Sequence, residues 1–242
     1  MSHESTPRRA YAYIDGFNFY HASLEVEAFY PYGWCNWKAT IQNYCGLDSR
    51  VIHVKYFTSL VRDAGKSRRQ TLHINAMKTV ADVIEGEFAR RPNRKCELCR
   101  RPLVCASCGS TEHTVEKKTD VNIAVHMLTD AMKGLYMDAY LVTRDRDLLP
   151  VVAALLNRRQ FPSPLRVNVL FPPGGHTDEF RELEQRLPGF RCIDLSTSKM
   201  VRFPEELAKK LGDFRFPEHW KIRKQGSAPA NANIPQRSVT RS

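Results

Sequence analysis

Two segments decide how this chain folds: Tyr11-Ala12-Tyr13-Ile14-Asp15, and Ala139-Tyr140-Leu141-Val142-Thr143 followed by Arg144-Asp145-Arg146-Asp147. Each is a short apolar run rich in aromatic or β-branched side chains, the pattern of a strand covered on both faces. Each runs straight into acids: Asp15 ends the first, and Asp145 and Asp147 follow the second. Outward from these, residues 50–58 (RVIHVKYFT), 83–89, 166–171 and 190–194 read as further strands. Helical spacing of apolar positions fills 18–28, 37–46, 66–81, 119–135, the stretch from Asp147 to about Arg158, and 177–187. Within 119–135, Val121, Ala124, Val125, Leu128 and Met132 form the expected apolar stripe. Strands alternating with helices predict an α/β fold with a doubly wound, mostly parallel sheet of Rossmannoid type. Ligands of such sheets bind beyond the carboxyl ends of the strands, which is where these acids fall.

The chain has 242 residues, 42% of them hydrophobic, enough for one α/β domain with an embellishment. Its formal charge of +11 favours polyanionic partners, since phosphate neutralisation drives much of nucleic-acid affinity. No apolar run reaches the roughly 20 residues that span a bilayer. The first ten residues, MSHESTPRRA, lack the apolar core of a signal peptide. The expectation is therefore a cytoplasmic protein with no membrane partner. Residues 1–9 read as a flexible N-terminus, 10–195 as the domain, 196–220 as an extension packed on it, and 221–242 as a basic disordered tail. Nothing in the sequence speaks to oligomeric state.

A third acid, Asp120, opens the 119–135 helix. Any one of these carboxylates alone is explained by helix capping. An acid pair at i, i+2 directly after a buried strand is not required by a cap, and several carboxylates at one sheet edge repel unless a cation sits among them. Mg²⁺, held by few carboxylates plus waters and phosphate oxygens, answers that need.

YAYIDGFNFY resembles the first motif of NYN-domain proteins, a PIN-like nuclease group: a strand ending in Asp, then Gly, a variable residue and Asn. EKKTDVNIAVHMLTDA resembles the second motif and DAYLVTRDRDLLPVV the third, in order and spacing over about residues 10–195. The resemblance implies a PIN-like fold and a metal-dependent ribonuclease-type site. It implies Asp15, Asp120, Asp145 and Asp147 as acids holding Mg²⁺ or Mn²⁺, with Asn18 beside them. Two departures stand out. Many relatives carry Asp where this chain has His126, and the usual Ser-Gly before the acid pair is Thr143-Arg144. His126 is read as a substrate-side residue rather than a ligand, because hard Mg²⁺ prefers oxygen. Arg144 and Arg146 either neutralise the acid pair or clamp a phosphate.

Residues 90–116 break the strand–helix pattern, and within them Cys96-x₂-Cys99 and Cys105-x₂-Cys108 stand five residues apart in an insertion of about 92–113. Two such knuckles complete a tetrahedral thiolate site, so structural Zn²⁺ is expected, with redox activity as the runner-up. Arg90, Arg91, Arg94, Lys95, Arg100 and Arg101 surround the pairs, either as a basic wall for nucleic acid or as solvated arginines.

These features together lead to a metal-dependent nuclease acting on phosphodiesters, RNA before DNA, with Lys66, Arg68, Arg69, Arg144 and His126 holding substrate. The alternative is an RNA- or DNA-binding regulatory module with little catalysis on the same fold. A small-molecule phosphohydrolase is a third reading, opposed by the positive charge and the lack of a phosphate loop.

Overall fold

The computed structural model describes residues 6–60, 64–93, 95, 99, 101, 103–104, 109–157, 159–161, 164–175 and 178–212. Strands β1 (Arg8–Asp15), β2 (Ser49–Ser59), β3 (Asp82–Pro92), β5 (Asp138–Val142), β6 (Arg166–Phe171) and β7 (Phe190–Asp194) form one parallel sheet. Strand β4 (Glu112–Lys117) adds an antiparallel partner to the far half of β3. The order across the sheet is β4-β3-β2-β1-β5-β6-β7. The parallel strands thus run outward from β1 in one direction and from β5 in the other.

Helices α1 (Gly16–Ser23), α2 (Trp37–Gln42), α3 (Ala64–Met77) and α7 (Glu205–Leu211) cover one face, and α4 (Thr119–Met132), α5 (Leu149–Leu155) and α6 (Asp178–Arg186) the other. The alternation of β1 shows how the sequence serves both layers. Ala10, Ala12 and Ile14 join Trp34, Trp37, Ile41, Leu72 and Met77 on the first face, while Tyr13 joins Phe57, Ile123, Met127, Leu141 and Phe180 on the second. Burial of each large side chain here contributes about 1.5–3 kcal/mol. Gly16 follows Asp15 because a Cβ there would land on the Tyr56 ring. At the amino ends of the strands, buried Asp138 accepts hydrogen bonds from Arg8, Arg166 and Ser49. Burial alone would raise its pKa, but those donors outweigh it and hold the carboxyl below its ordinary value.

Three sequence expectations are corrected. The apolar stripe of α4 is only partly inward: Val121, Val125 and Met132 are 65%, 55% and 78% exposed, Ala124 and Leu128 pack against the core, and Ile123, Met127 and Ala131 are buried. Residues 90–92 and 112–116, expected to be irregular, belong to the β3–β4 ladder. Residues 27–34, partly expected as α-helix, form 3-10 turns. Beyond β7, Met200, Phe203 and, in α7, Ala208 lie in the core. Residues 1–5 and the tail over 221–242 lie outside the described residues, as do Cys96, Cys105 and Cys108; Cys99 is exposed. No helix among the described residues is long and apolar enough to cross a membrane.

Candidate functional site

The crossovers leave on opposite faces either side of β1 and β5, so a crevice opens between the carboxyl ends of those two strands. Asp15 is the last residue of β1, and Asp145 lies three residues beyond the end of β5. Both acids cap the element that follows. Asp15 Oδ1 accepts from Asn18 N at 3.0 Å, and Asp145 Oδ1 from Asp147 N at 2.9 Å. Capping orients each carboxylate without exhausting it, because every carboxylate oxygen carries two lone pairs.

The buried Thr143 hydroxyl ties the two acids together. It donates to Asp15 Oδ2 at 3.2 Å and accepts from Asp145 N at 3.0 Å. Asn18 braces the same loop from α1, its Oδ1 accepting from Arg144 N at 3.0 Å. Asn18 is therefore a loop anchor as well as a residue at the crevice.

The flanking arginines are engaged elsewhere. Arg144 makes a two-pronged pair with Glu25 and donates to the Pro173 carbonyl; Gly174, at φ +102°, leaves room for the guanidinium. Arg146 pairs with Glu179. Among the described residues, neither Asp145 nor Asp147 has an ion-pair partner, so Arg144 and Arg146 do not neutralise the acid pair.

Asp120 sits half-buried in the first turn of α4. That turn is brought to the carboxyl end of the sheet by β4, whose Lys117 stands opposite Glu87, one residue past the β2–β3 pairing. Asp147 is exposed in the 3-10 turn after Asp145. Among the described residues, no three His, Cys, Asp or Glu side chains are grouped closely enough to hold a metal ion. What the structure brings to this edge is two carboxylates, Asp15 and Asp145, linked through Thr143. They do not form a dedicated protein cage. Arg68 and Arg69 lie on α3, which leaves the same carboxyl edge after β2; Lys66 belongs to that helix, and its side chain lies outside the described residues.

A polar chain lies beneath α4 and joins His126 to Lys55, Asp130 and Tyr13, three residues that the sequence reading did not single out. Lys55 Nζ donates to Asp130 Oδ2 at 2.6 Å and lies within hydrogen-bond distance of His126 Nδ1 at 3.1 Å, and the Tyr13 hydroxyl donates to the same Asp130 oxygen at 2.8 Å. Lys55 is 9% and Asp130 4% exposed. Their signal was available: a lysine amid an apolar strand, and an aspartate three residues from Met127 on what proves the buried helix face. Burial first, and the Lys55 charge second, push the His126 pKa below its ordinary value.

No family model matches the chain. It is similar to a 6-hydroxy-3-succinoylpyridine 3-monooxygenase of Pseudomonas putida, 25% identical over 203 residues. That match covers 71% of this chain and 62% of the relative, so the chain spans less than two thirds of that enzyme's length. Among solved structures, a Vibrio parahaemolyticus protein of unknown function superimposes with a TM-score of 0.49 at 14% identity, over 83% of this chain and 100% of that one.

Proposed function

We propose that this protein is a divalent-cation-dependent nuclease that hydrolyses phosphodiester bonds, with RNA its first candidate substrate. The observation that carries the reading is the pair Asp15 and Asp145 at the carboxyl ends of the two central strands, with the neighbouring arginines tied to Glu25 and Glu179. Asp145 thereby keeps an uncompensated negative charge at the mouth of the crevice. Thr143 fixes its distance from Asp15, and Asn18 fixes the loop that carries it. Mg²⁺ or Mn²⁺ held by Asp15 and Asp145, with Asp120 and Asp147 at the same edge, would supply Lewis-acid stabilisation of charge on the phosphoryl oxygens. The basic residues of α3 and the net charge of +11 supply backbone affinity with little base reading. The two CxxC pairs are proposed to hold one structural Zn²⁺.

The test is cleavage of single-stranded and structured RNA with Mg²⁺ or Mn²⁺ by wild type, Asp15→Asn and Asp145→Asn. Loss of about 100-fold or more in both variants is expected for removal of charge that stabilises a transition state. Equal cleavage by all three refutes the reading. Salt-sensitive RNA binding without cleavage moves the function to a regulatory nucleic-acid-binding module. For zinc, metal analysis should find about one equivalent, lost in Cys96→Ser/Cys99→Ser. The similarity to a monooxygenase favours one second reading, hydroxylation of an aromatic ring by O₂ with a two-electron donor. Consumption of O₂ and reduced nicotinamide dependent on a hydroxypyridine would establish it.

A further inference from the structure

Among the described residues, α4 exposes three large apolar side chains, Val121, Val125 and Met132, and no other helix exposes more than one. The same helix carries three ionisable side chains, and none stands on that outer face. Asp120 is half-buried, and Asp130 is buried against Lys55. His126 lies against Lys55 and Phe57, where burial and the Lys55 charge hold its pKa down. No charged side chain is therefore exposed between Thr119 and Met132. Helix α6, in the same layer, shows the ordinary arrangement. It buries Phe180 and presents Glu179, Arg181, Glu182, Glu184 and Arg186 to solvent. A solvated helix keeps charge on its outer face, whereas a bare apolar one marks an association surface.

We propose that this face is the seam of a homodimer, in which two copies pack their α4 helices antiparallel across a twofold axis. Positions 121, 125 and 132 fall within about 40° of one another around the helix, a narrow stripe that a facing helix covers. The twofold operation sets Val121 of one copy against Met132 of the other and brings the two Val125 side chains beside the axis. Electrostatics select a second copy as the occupant. Chains of formal charge +11 repel each other over most of their surfaces, and a face without exposed charge is where that repulsion is least. Nucleic acid, which the net charge otherwise favours, finds no cation on this face. Antiparallel packing sets the two helix macrodipoles head to tail. It also brings exposed Lys133 to the other copy's N-terminal end of α4, where Glu87 and Asp120 outnumber Lys118. A stable dimer buries about 800 Å² per copy around an apolar centre. Helix α4 has 14 residues and is about 21 Å long, and its exposed apolar side chains run from its third residue to its last, enough for that centre.

The test is sedimentation velocity of the full chain, stripped of nucleic acid by an added nuclease, at about 1–100 μM. The expected result is a monomer–dimer equilibrium that holds or tightens as NaCl rises from about 0.1 to about 0.5 M, because salt screens the repulsion between the two basic chains and leaves apolar contact intact. Val125→Glu should raise Kd by about 100-fold or more, since the axis sets the two new carboxylates against each other. Met132→Lys should act in the same direction from the end of the seam. Leu47→Glu, at a fully exposed apolar residue outside α4, should leave Kd unchanged. All three positions are exposed, so the far-UV spectra of the variants should match wild type. A wild-type chain that stays monomeric at the highest concentration overturns the proposal. So does a dimer that both α4 variants leave intact, that salt dissolves, or that Leu47→Glu disrupts equally.

Discussion

The Lys55–Asp130 pair offers the sharpest test of how this site is built. Its N–O distance is 2.6 Å, and the two side chains are 11% and 6% exposed, so solvent screens the pair little. Removing one partner strands the other charge. Lys55→Met leaves Asp130 with only the Tyr13 hydroxyl, and Asp130→Asn leaves the buried Lys55 ammonium without a counter-charge. Each single variant should lose about 3–5 kcal/mol, the range for breaking a buried ion pair. The double variant Lys55→Met/Asp130→Asn removes both charges, while the amide oxygen still accepts from Tyr13. It should be no less stable than either single variant, giving a coupling of about 3 kcal/mol or more. Urea unfolding followed by the fluorescence of buried Trp34 and Trp37 reads each corner of the cycle, provided the denaturant slope stays constant. Single losses under about 1 kcal/mol that simply add would mean that the pair is solvated rather than buried.

Other consequences can be measured in the same way. Met127→Ala should cost about 2–4 kcal/mol, because the side chain is fully buried, while Val125→Ala should change stability by less than about 0.5 kcal/mol; the reverse order would show that α4 is rotated. Gly16→Ala should cost about 1–3 kcal/mol by pushing on the Tyr56 ring, and Tyr56→Leu in the same chain should relieve part of it; an unaffected urea midpoint in the alanine variant would deny the close approach. His73 bonds to the Cys35 backbone and its Nε2 is shut away from water, and burial lowers its pKa to about 4. The unfolded chain therefore binds the proton first, so this contribution to stability is intact above about pH 6.5 and is lost as pH falls toward 4. The loss attributable to His73 should reach about 2 kcal/mol near pH 5 relative to pH 7.5, and His73→Leu should flatten that part of the profile; parallel profiles would refute it.

How far the sequence discloses this molecule depends on how local each determinant is. The strands at 11–15 and 139–143 are legible because a parallel strand covered on both faces must be apolar throughout, and Asp15 and Asp145 are legible because they interrupt that rule at the edge where ligands bind. Helix α4 misleads for a physical reason. Three of its regularly spaced apolar residues, Val121, Val125 and Met132, point outward, while Ala124 and Leu128 of the same stripe pack against the core. The inward face is disguised by Asp130, a charge that reads as solvent-exposed until Lys55, 75 residues away, is placed against it. Strand β4 is hidden for a related reason: EHTVEK has little strand character of its own and is held by its ladder with β3. The same distance governs the electrostatics of the site. Arg144 and Arg146 sit beside Asp145 in sequence, and sequence alone leaves them free to neutralise it. Their actual partners, Glu25 and Glu179, are 119 and 33 residues away, and only the fold reveals that neither arginine pairs with the acid between them. The positions of functional groups are thus written locally, but their charge state is written in pairings across the sheet. A residue out of place for its local pattern, such as Lys55 in a buried strand or Asp130 on an apolar helix face, is the sequence's one visible trace of such a pairing.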